Sequence, residues 1–332
     1  MLDFSTFLDL PLIFYGIIAL AIFMYVLLDG FDLGIGILFP FAPSDNCRDK
    51  MMNSVAPFWD GNETWLVLGG GLMMAAFPLA FSTIMPAFYL QIILMLLGLI
   101  FRGVAFEFRF KATSKNEQRI WDFSFCFGSI IATFFQGLML GAFVSGDVFS
   151  GSYFSIFSII TAVALIFGYA LIGAAWLIMK THEKTQIWAR KISFFLLIAV
   201  GFFILAVGLW TTFSRQEFYV RWFLQSDFEL LMMIPAATFI TFIFFFLALK
   251  KEREKMPFFL TILIFALCYL SLGISLFPYV APYQMTFMQA AASNESLSLI
   301  LVGVVITLPM ILAYTAYSYH VFRGKSESAR LY

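Results

Sequence analysis

Four carboxylates stand where so apolar a chain has little reason to keep them. Asp29 and Asp32 lie in the run LDGFDLGIGILFPF, and Asp60 and Glu63 in NSVAPFWDGNETWLVLGGG. Each pair is spaced three apart, so on a helix its members share a face about 5 to 6 Å from one another. Close carboxylates with little solvent cannot all ionise. Desolvation and mutual repulsion raise their proton affinity, which is what a relay that accepts and passes on protons requires. An ionised group at membrane depth costs roughly 2.5 to 3.5 kcal/mol on insertion scales, and intramembrane acids default to function. The competing reading is structural: the acids are neutralised by Arg102 or Lys50 and only lock helices together.

The elements that position these acids are membrane spans. The chain has 332 residues, 62% hydrophobic and 12% charged, with a mean hydropathy of +0.92. That places it far outside the usual soluble composition, which is roughly 25% charged. About 20 apolar residues cross a bilayer core, and nine windows of that kind are predicted: 10–39, 55–77, 80–101, 121–144, 153–179, 190–213, 228–249, 256–277 and 297–321. Asp60, Asn62 and Glu63 depress the hydropathy of the second, so a sliding window would discard it. The expectation is an all-α polytopic membrane protein forming a single transmembrane domain, 1–332. The remaining loops, the longest at 102–120 and 278–296, are too short to fold alone.

Cytoplasmic loops collect Lys and Arg. With nine spans, all of the 20 basic residues except Arg215 and Arg221 fall on one side, Arg330 being the last of them. This predicts the N-terminus outside and the C-terminus cytoplasmic. The acidic start MLDFSTFLDL, with no Lys or Arg before Arg48, is the wrong opening for a cleaved signal peptide. In this topology both acid pairs converge in the cytoplasmic half of the first hairpin. Gly30, Gly34 and Gly36 would leave room beside them for water or a partner helix, and Gly69, Gly70 and Gly71 would let another backbone come close. Glu107 and Arg109, just past the third span, read as a solvated interfacial pair.

Other chemistry is missing. Cys47, Cys126 and Cys268 form no CxxC pair and read as free thiols, and His182 and His320 sit beside charged residues at the ends of apolar segments. No phosphate-cradling loop, HExxH motif or nucleophile elbow is present. Zero net charge offers no surface for nucleic acid, although Lys/Arg-rich loops should attract anionic membrane lipid. The 16 Met and 44 Phe are packing residues. Trp59 and Trp65 flank the acids, and an indole N–H there could bond a carboxylate or a cofactor propionate, with packing the stronger reading.

With LIFRGVAFEFRFK and the C-terminal LPMILAYTAYSYHVFRGK added to the two acidic runs, the chain closely resembles subunit II of the cytochrome bd family of terminal quinol oxidases. The likeness covers the first 110 residues and the last span; the middle agrees in span spacing and hydropathy. It implies two four-helix bundles plus one peripheral helix, in a multi-pass protein of the bacterial inner membrane. It also implies a heterodimer in which subunit I ligates haem b and haem d (or a further haem b), oxidises quinol and reduces dioxygen. Subunit II would ligate no haem and would help carry cytoplasmic protons to the oxygen site, contributing to a proton-motive force. A bound quinone in this chain and small accessory subunits are left open.

Carried over by residue, Asp32 and Asp60 match the family's acids at the subunit interface, and Trp59, Gly61, Asn62 and Trp65 its WDGN-x-x-W run. Asp29 and Arg102 also fall on family positions. The resemblance therefore assigns the proton path to Asp29, Asp32, Asp60 and Glu63, and the surroundings of the partner's haems to Trp59, Asn62, Trp65 and Arg102. Position 63 is an amide in some relatives, and Phe58 stands where others carry histidine. A proton- or sodium-coupled secondary transporter is the alternative. It would show inverted repeats with discontinuous helices in both halves, whereas here the acids crowd into one hairpin. A purely structural scaffold for subunit I is the third reading.

Overall fold

The computed structural model describes residues 8–224 and 228–326; Arg330 lies outside them. Apolar sequence of this density folds as helix because a bilayer core offers no water to backbone N–H and C=O groups, which a helix satisfies within itself. The order is α1 (Leu10–Leu38), α2 (Asp45–Asn53), α3 (Trp59–Ala76), α4 (Pro78–Ala87), α5 (Tyr89–Arg109), α6 (Lys115–Ser145), α7 (Ile156–Lys180), α8 (Glu183–Ser214), the single turn α9 (Gln216–Tyr219), α10 (Phe228–Lys250) and α11 (Met256–Leu276). A small antiparallel pair, β1 (Tyr279–Ala281) and β2 (Met285–Thr286), then leads through α12 (Phe287–Ala290) to α13 (Asn294–Val321).

Among the described residues, eight helices are long and apolar enough to cross a membrane. The second predicted span is α3, 18 residues whose acids and amide keep it below that level of apolarity. The third is where sequence and structure diverge. It is not one helix over 80–101: Pro78 opens the ten-residue α4, the chain breaks at Phe88, and α5 continues to Arg109. The extension carries Arg109 into the interior, where it is 1% exposed and bonds Asp49 (2.7 Å) and Asp122 (2.5 Å) beneath the Phe39 ring. The expected solvated Glu107–Arg109 pair is thus corrected. Glu107 pairs with Lys111 at the surface, while Arg109 needs two carboxylates because a buried cation must be compensated.

Contacts divide the chain into two compact units. The first holds Met1–Asp29, Pro57–Tyr89 and Leu276–Gly324. Here α3 runs antiparallel to both α1 and α13. One end is pinned by Ala292 N–H to Ala76 O (2.8 Å) and by Tyr15 Oη to Tyr279 O (3.3 Å), and the other by Tyr319 stacked on Phe58 at 4.5 Å. Trp65 fills the middle against Ala21 and Tyr25.

The second unit holds Gly30–Ala56, Leu90–Ser275 and Lys325–Tyr332. Its helices cross closely at several glycines. A Cβ on Gly34 would collide with Tyr169 O, one on Gly173 would lie 2.7 Å from Gly34 C, and one on Gly128 2.5 Å from Gly98 O. Small residues at such crossings let backbones approach and gain dispersion contacts that lipid cannot offer.

Candidate functional site

In the first unit the acid-bearing end of α3 is built around Asn62. Its side-chain Nδ2 donates to Leu28 O of α1 (3.2 Å) and its Oδ1 accepts from Tyr319 Oη of α13 (2.9 Å), so one amide ties three helices. Leu28 is the neighbour of Asp29, which is fully buried. Asp29, Asn62 and Asp60 are thereby gathered at one end of the unit, the end that also receives Phe58, Tyr319 and Phe322. Asp29 and Asp32 both lie within the single continuous helix α1, three residues apart.

Asp60 behaves differently from Asp29. It lies in the first turn of α3 and is exposed, and Thr64, Val67, Gly71 and Met74 are exposed positions that follow. That spacing of four, three, four and three is one continuous helix face. A carboxylate near a helix N-terminus is also favoured by the dipole there. Glu63 and Trp59 are half-buried on the flank. Trp65 is fully buried, and its Nε1–H finds no acceptor among the described residues. Gly70 and Gly71 meet nothing within 4 Å, and Gly69 meets only side-chain atoms of Ala21 and Ile22 and the Ile22 backbone N at 4.0 Å. The close backbone approach expected at this glycine run is therefore not made among the described residues, because two of the three meet open space.

Asp32 and Arg102 belong to the second unit, and both are fully buried. Asp32 shares its helix face with Gly36 one turn on, and a Cβ at Gly36 would fall 2.0 Å from Ser129 Oγ of α6. The α6 surface met there is polar: Ser129, Thr133 and Gln136, at spacings of four and three, are all buried. Gln136 Oε1 accepts from Tyr169 Oη (3.0 Å), Ser129 bonds back to Phe125 O, and Thr133 Oγ1 has no partner among the described residues. Between water and a partner helix, the glycines of α1 thus receive the helix: Gly36 takes α6, while Gly30 and Gly34 take Tyr169 of α7. The polar row of α6 was missed in the sequence, although its one-face spacing inside an apolar span is a readable signal. Arg102 lies on α5 where that helix crosses α6, its backbone N 2.7 Å from the Cβ position of Gly128.

No group of three or more His, Cys, Asp or Glu able to hold a metal occurs among the described residues. His182 is the N-cap of α8 and His320 is in the last turn of α13, both exposed. What this arrangement can do is hold protonatable oxygens in dry, rigid surroundings and offer one of them, Asp60, on an open face.

Comparison with known proteins gives these residues a context. The family model of cytochrome bd terminal oxidase subunit II matches residues 10–322. Cytochrome bd ubiquinol oxidase subunit 2 of Bacillus subtilis is 28% identical, with 94% of this chain and 96% of the relative covered. Cytochrome bd-I ubiquinol oxidase subunit 2 of Escherichia coli is 26% identical, with 98% and 96% covered. In fold, a chain of the bd oxidase from Geobacillus thermodenitrificans superposes with a TM-score of 0.77 at 14% identity, over 95% of this chain and 99% of that one.

Proposed function

The chain belongs to the cytochrome bd terminal oxidase subunit II family, and from that premise we propose that it carries protons from the cytoplasm toward the oxygen-reducing site of its partner without ligating haem itself. It is a subunit of a quinol oxidase, an oxidoreductase complex of the bacterial inner membrane with haem cofactors and a subunit I partner. Haem bound in the complex supplies the reduction of dioxygen to water with electrons from quinol. Everything else falls to side chains.

The observation that carries the proposal is the contrast between buried Asp29 and exposed Asp60 at one end of the first unit. An acid on an open face of α3 is available to a partner subunit, and docking there would dry it and raise its proton affinity. Thr64, Val67, Gly71 and Met74 continue that face, and Gly71 lets a second backbone come close. Asp29 and Asp32, three apart on α1, accept and release protons from fixed positions; Glu63 assists from its half-buried place. Ser129, Thr133 and Gln136 line the face that Asp32 shares and offer hydroxyl and amide groups for hydrogen bonding.

The side chains fit support of a haem held by another chain better than ligation, since both histidines lie exposed at helix ends. Trp59 is the residue we assign to the partner's haem surroundings. Trp65 and Asn62 act behind it, Trp65 as packing and Asn62 as the tie of α3 to α1 and α13. Arg102, fully buried in the second unit where α5 crosses α6, serves that crossing instead. With the Lys/Arg-rich loops inside, by the positive-inside rule, protons enter from the cytoplasm. Turnover then separates charge without pumping.

The test is the assembled complex carrying Asp60→Asn or Asp32→Asn, with haem content read from its spectrum. Loss of oxygen consumption and of charge separation by at least about tenfold, a barrier rise of about 1.4 kcal/mol, with haems retained, is expected. Unchanged turnover per haem would remove the substituted acid from the path. A lower yield of complex with normal turnover would reduce the chain to a scaffold.

A further inference from the structure

The second unit contains a cleft that the proton path does not use. It lies between α8 and α10, measures about 330 Å3, and is lined among others by Arg190, Lys191, Phe194, Leu249, Lys250 and Glu252. Three cations thus face one carboxylate. Arg190 is committed: its guanidinium donates to the carbonyls of Leu249 (3.5 Å), Glu252 (3.1 Å) and Arg253 (3.3 Å), closing the C-terminal end of α10. Lys191 and Lys250 are exposed and form no ion pair among the described residues, and Lys250 Nζ rests 4.7 Å from the centre of the Phe246 ring. The cleft therefore keeps two exposed ammonium groups beside an anchored guanidinium.

What adjoins the cleft narrows its occupant. Phe194 and Phe246 meet edge to face at 5.8 Å along the α8–α10 seam. Beyond them α8 exposes Phe195 (75%), Ile198 (73%) and Phe202 (66%) on one face, and α10 exposes Phe239, Ile243 and Phe244. In a protein that lies in a bilayer, those two apolar faces are acyl-chain surfaces, and they end at the cationic cleft. A free anion would use only the cations; a phospholipid uses both. Basic pockets between membrane helices suit lipid phosphate for this reason.

We propose that this cleft seats the phosphate headgroup of an anionic phospholipid whose acyl chains lie along α8 and α10. The site is independent of the acids of α1 and α3, so its failure and theirs are separable. The assembled complex in detergent is titrated with dioleoylphosphatidylglycerol or dioleoylphosphatidylcholine and followed by native mass spectrometry. Preferential retention of the phosphatidylglycerol is expected. Lys191→Gln with Lys250→Gln should weaken it roughly thirtyfold, at on the order of 1 kcal/mol per basic side chain near a lipid surface. Lys115→Gln with Arg119→Gln, an equal loss of charge at exposed positions outside the cleft, should leave it unchanged. Equal retention of the two lipids, equal weakening by both double variants, or no weakening by either would overturn the proposal. So would full displacement of the lipid by millimolar inorganic phosphate, which would mark a site for free anions instead.

Discussion

The side-chain amide of Asn62 reaches two helices at once, accepting from Tyr319 and donating to Leu28. Replacing it by alanine leaves the Tyr319 hydroxyl without that acceptor in a mostly dry setting, at about 1 to 3 kcal/mol. Asn62→Ala should therefore lower the melting temperature of the assembled complex, and Tyr319→Phe should reproduce most of the loss; a thermal melt followed by haem absorbance measures both. A second residue-scale prediction concerns Glu254, in the loop after α10. Hydrogen bonds from Lys325 (2.9 Å) and Gln186 (3.0 Å) hold its carboxyl below the ordinary value of 4.5. A lowered folded-state value means that the contribution is fully present above about pH 4.5 and is lost as pH falls through the folded value. Lys325 also bonds Thr181 O, and Ser326 bonds Lys50 O, so the segment 323–326 should gain hydrogen-exchange rate, beyond the intrinsic pH effect, as pH drops below 4.5. Glu254→Gln should abolish that dependence.

Helix crossings set the next scale. The α1–α7 crossing has Gly34 against the Tyr169 carbonyl and Gly173 against Gly34 itself, with no side chain that can yield. Overpacking of this kind costs about 1 to 3 kcal/mol or more, and backbone on both sides puts Gly34→Ala at or above the upper end. Its complex yield should fall sharply. Gly273→Ala in α11, with nothing within 4 Å of the added methyl, should be neutral or stabilising by up to about 1 kcal/mol. A pair of yields and melts under one protocol checks both. The bridge of Arg109 to Asp49 and Asp122 joins α5 to α2 and α6. Arg109→Met leaves two carboxylates uncompensated, and a destabilisation of about 3 to 5 kcal/mol is expected, read as loss of folded complex at the growth temperature.

At the scale of the whole molecule, the chain is one subunit of a quinol oxidase complex, and the proposal gives it the protonic share of the chemistry. A tag on this chain should bring down a larger, haem-coloured partner, and a colourless single chain under the same conditions would contradict that division. Much of this was legible in the sequence. Apolar windows gave the helices because a bilayer leaves the backbone few other choices, and the four acids stand out because charge is costly in hydrocarbon. Motif likeness gave the family. The sequence could not show that α5 runs on to Arg109, since a charged helix end in a loop-like stretch has no hydropathy signal. Nor could it show that the α1 glycines receive helices rather than water, or that Asp60 is open while Asp29 is sealed. Sequence by itself determined which segments are apolar and helical and which acids go with them, through transfer energies that act residue by residue. Only the tertiary structure decided which faces those residues turn inward, because that depends on backbone approach at Gly34, Gly36 and Gly128 and on the ties of Asn62 and Arg109, all of which join residues far apart in the chain.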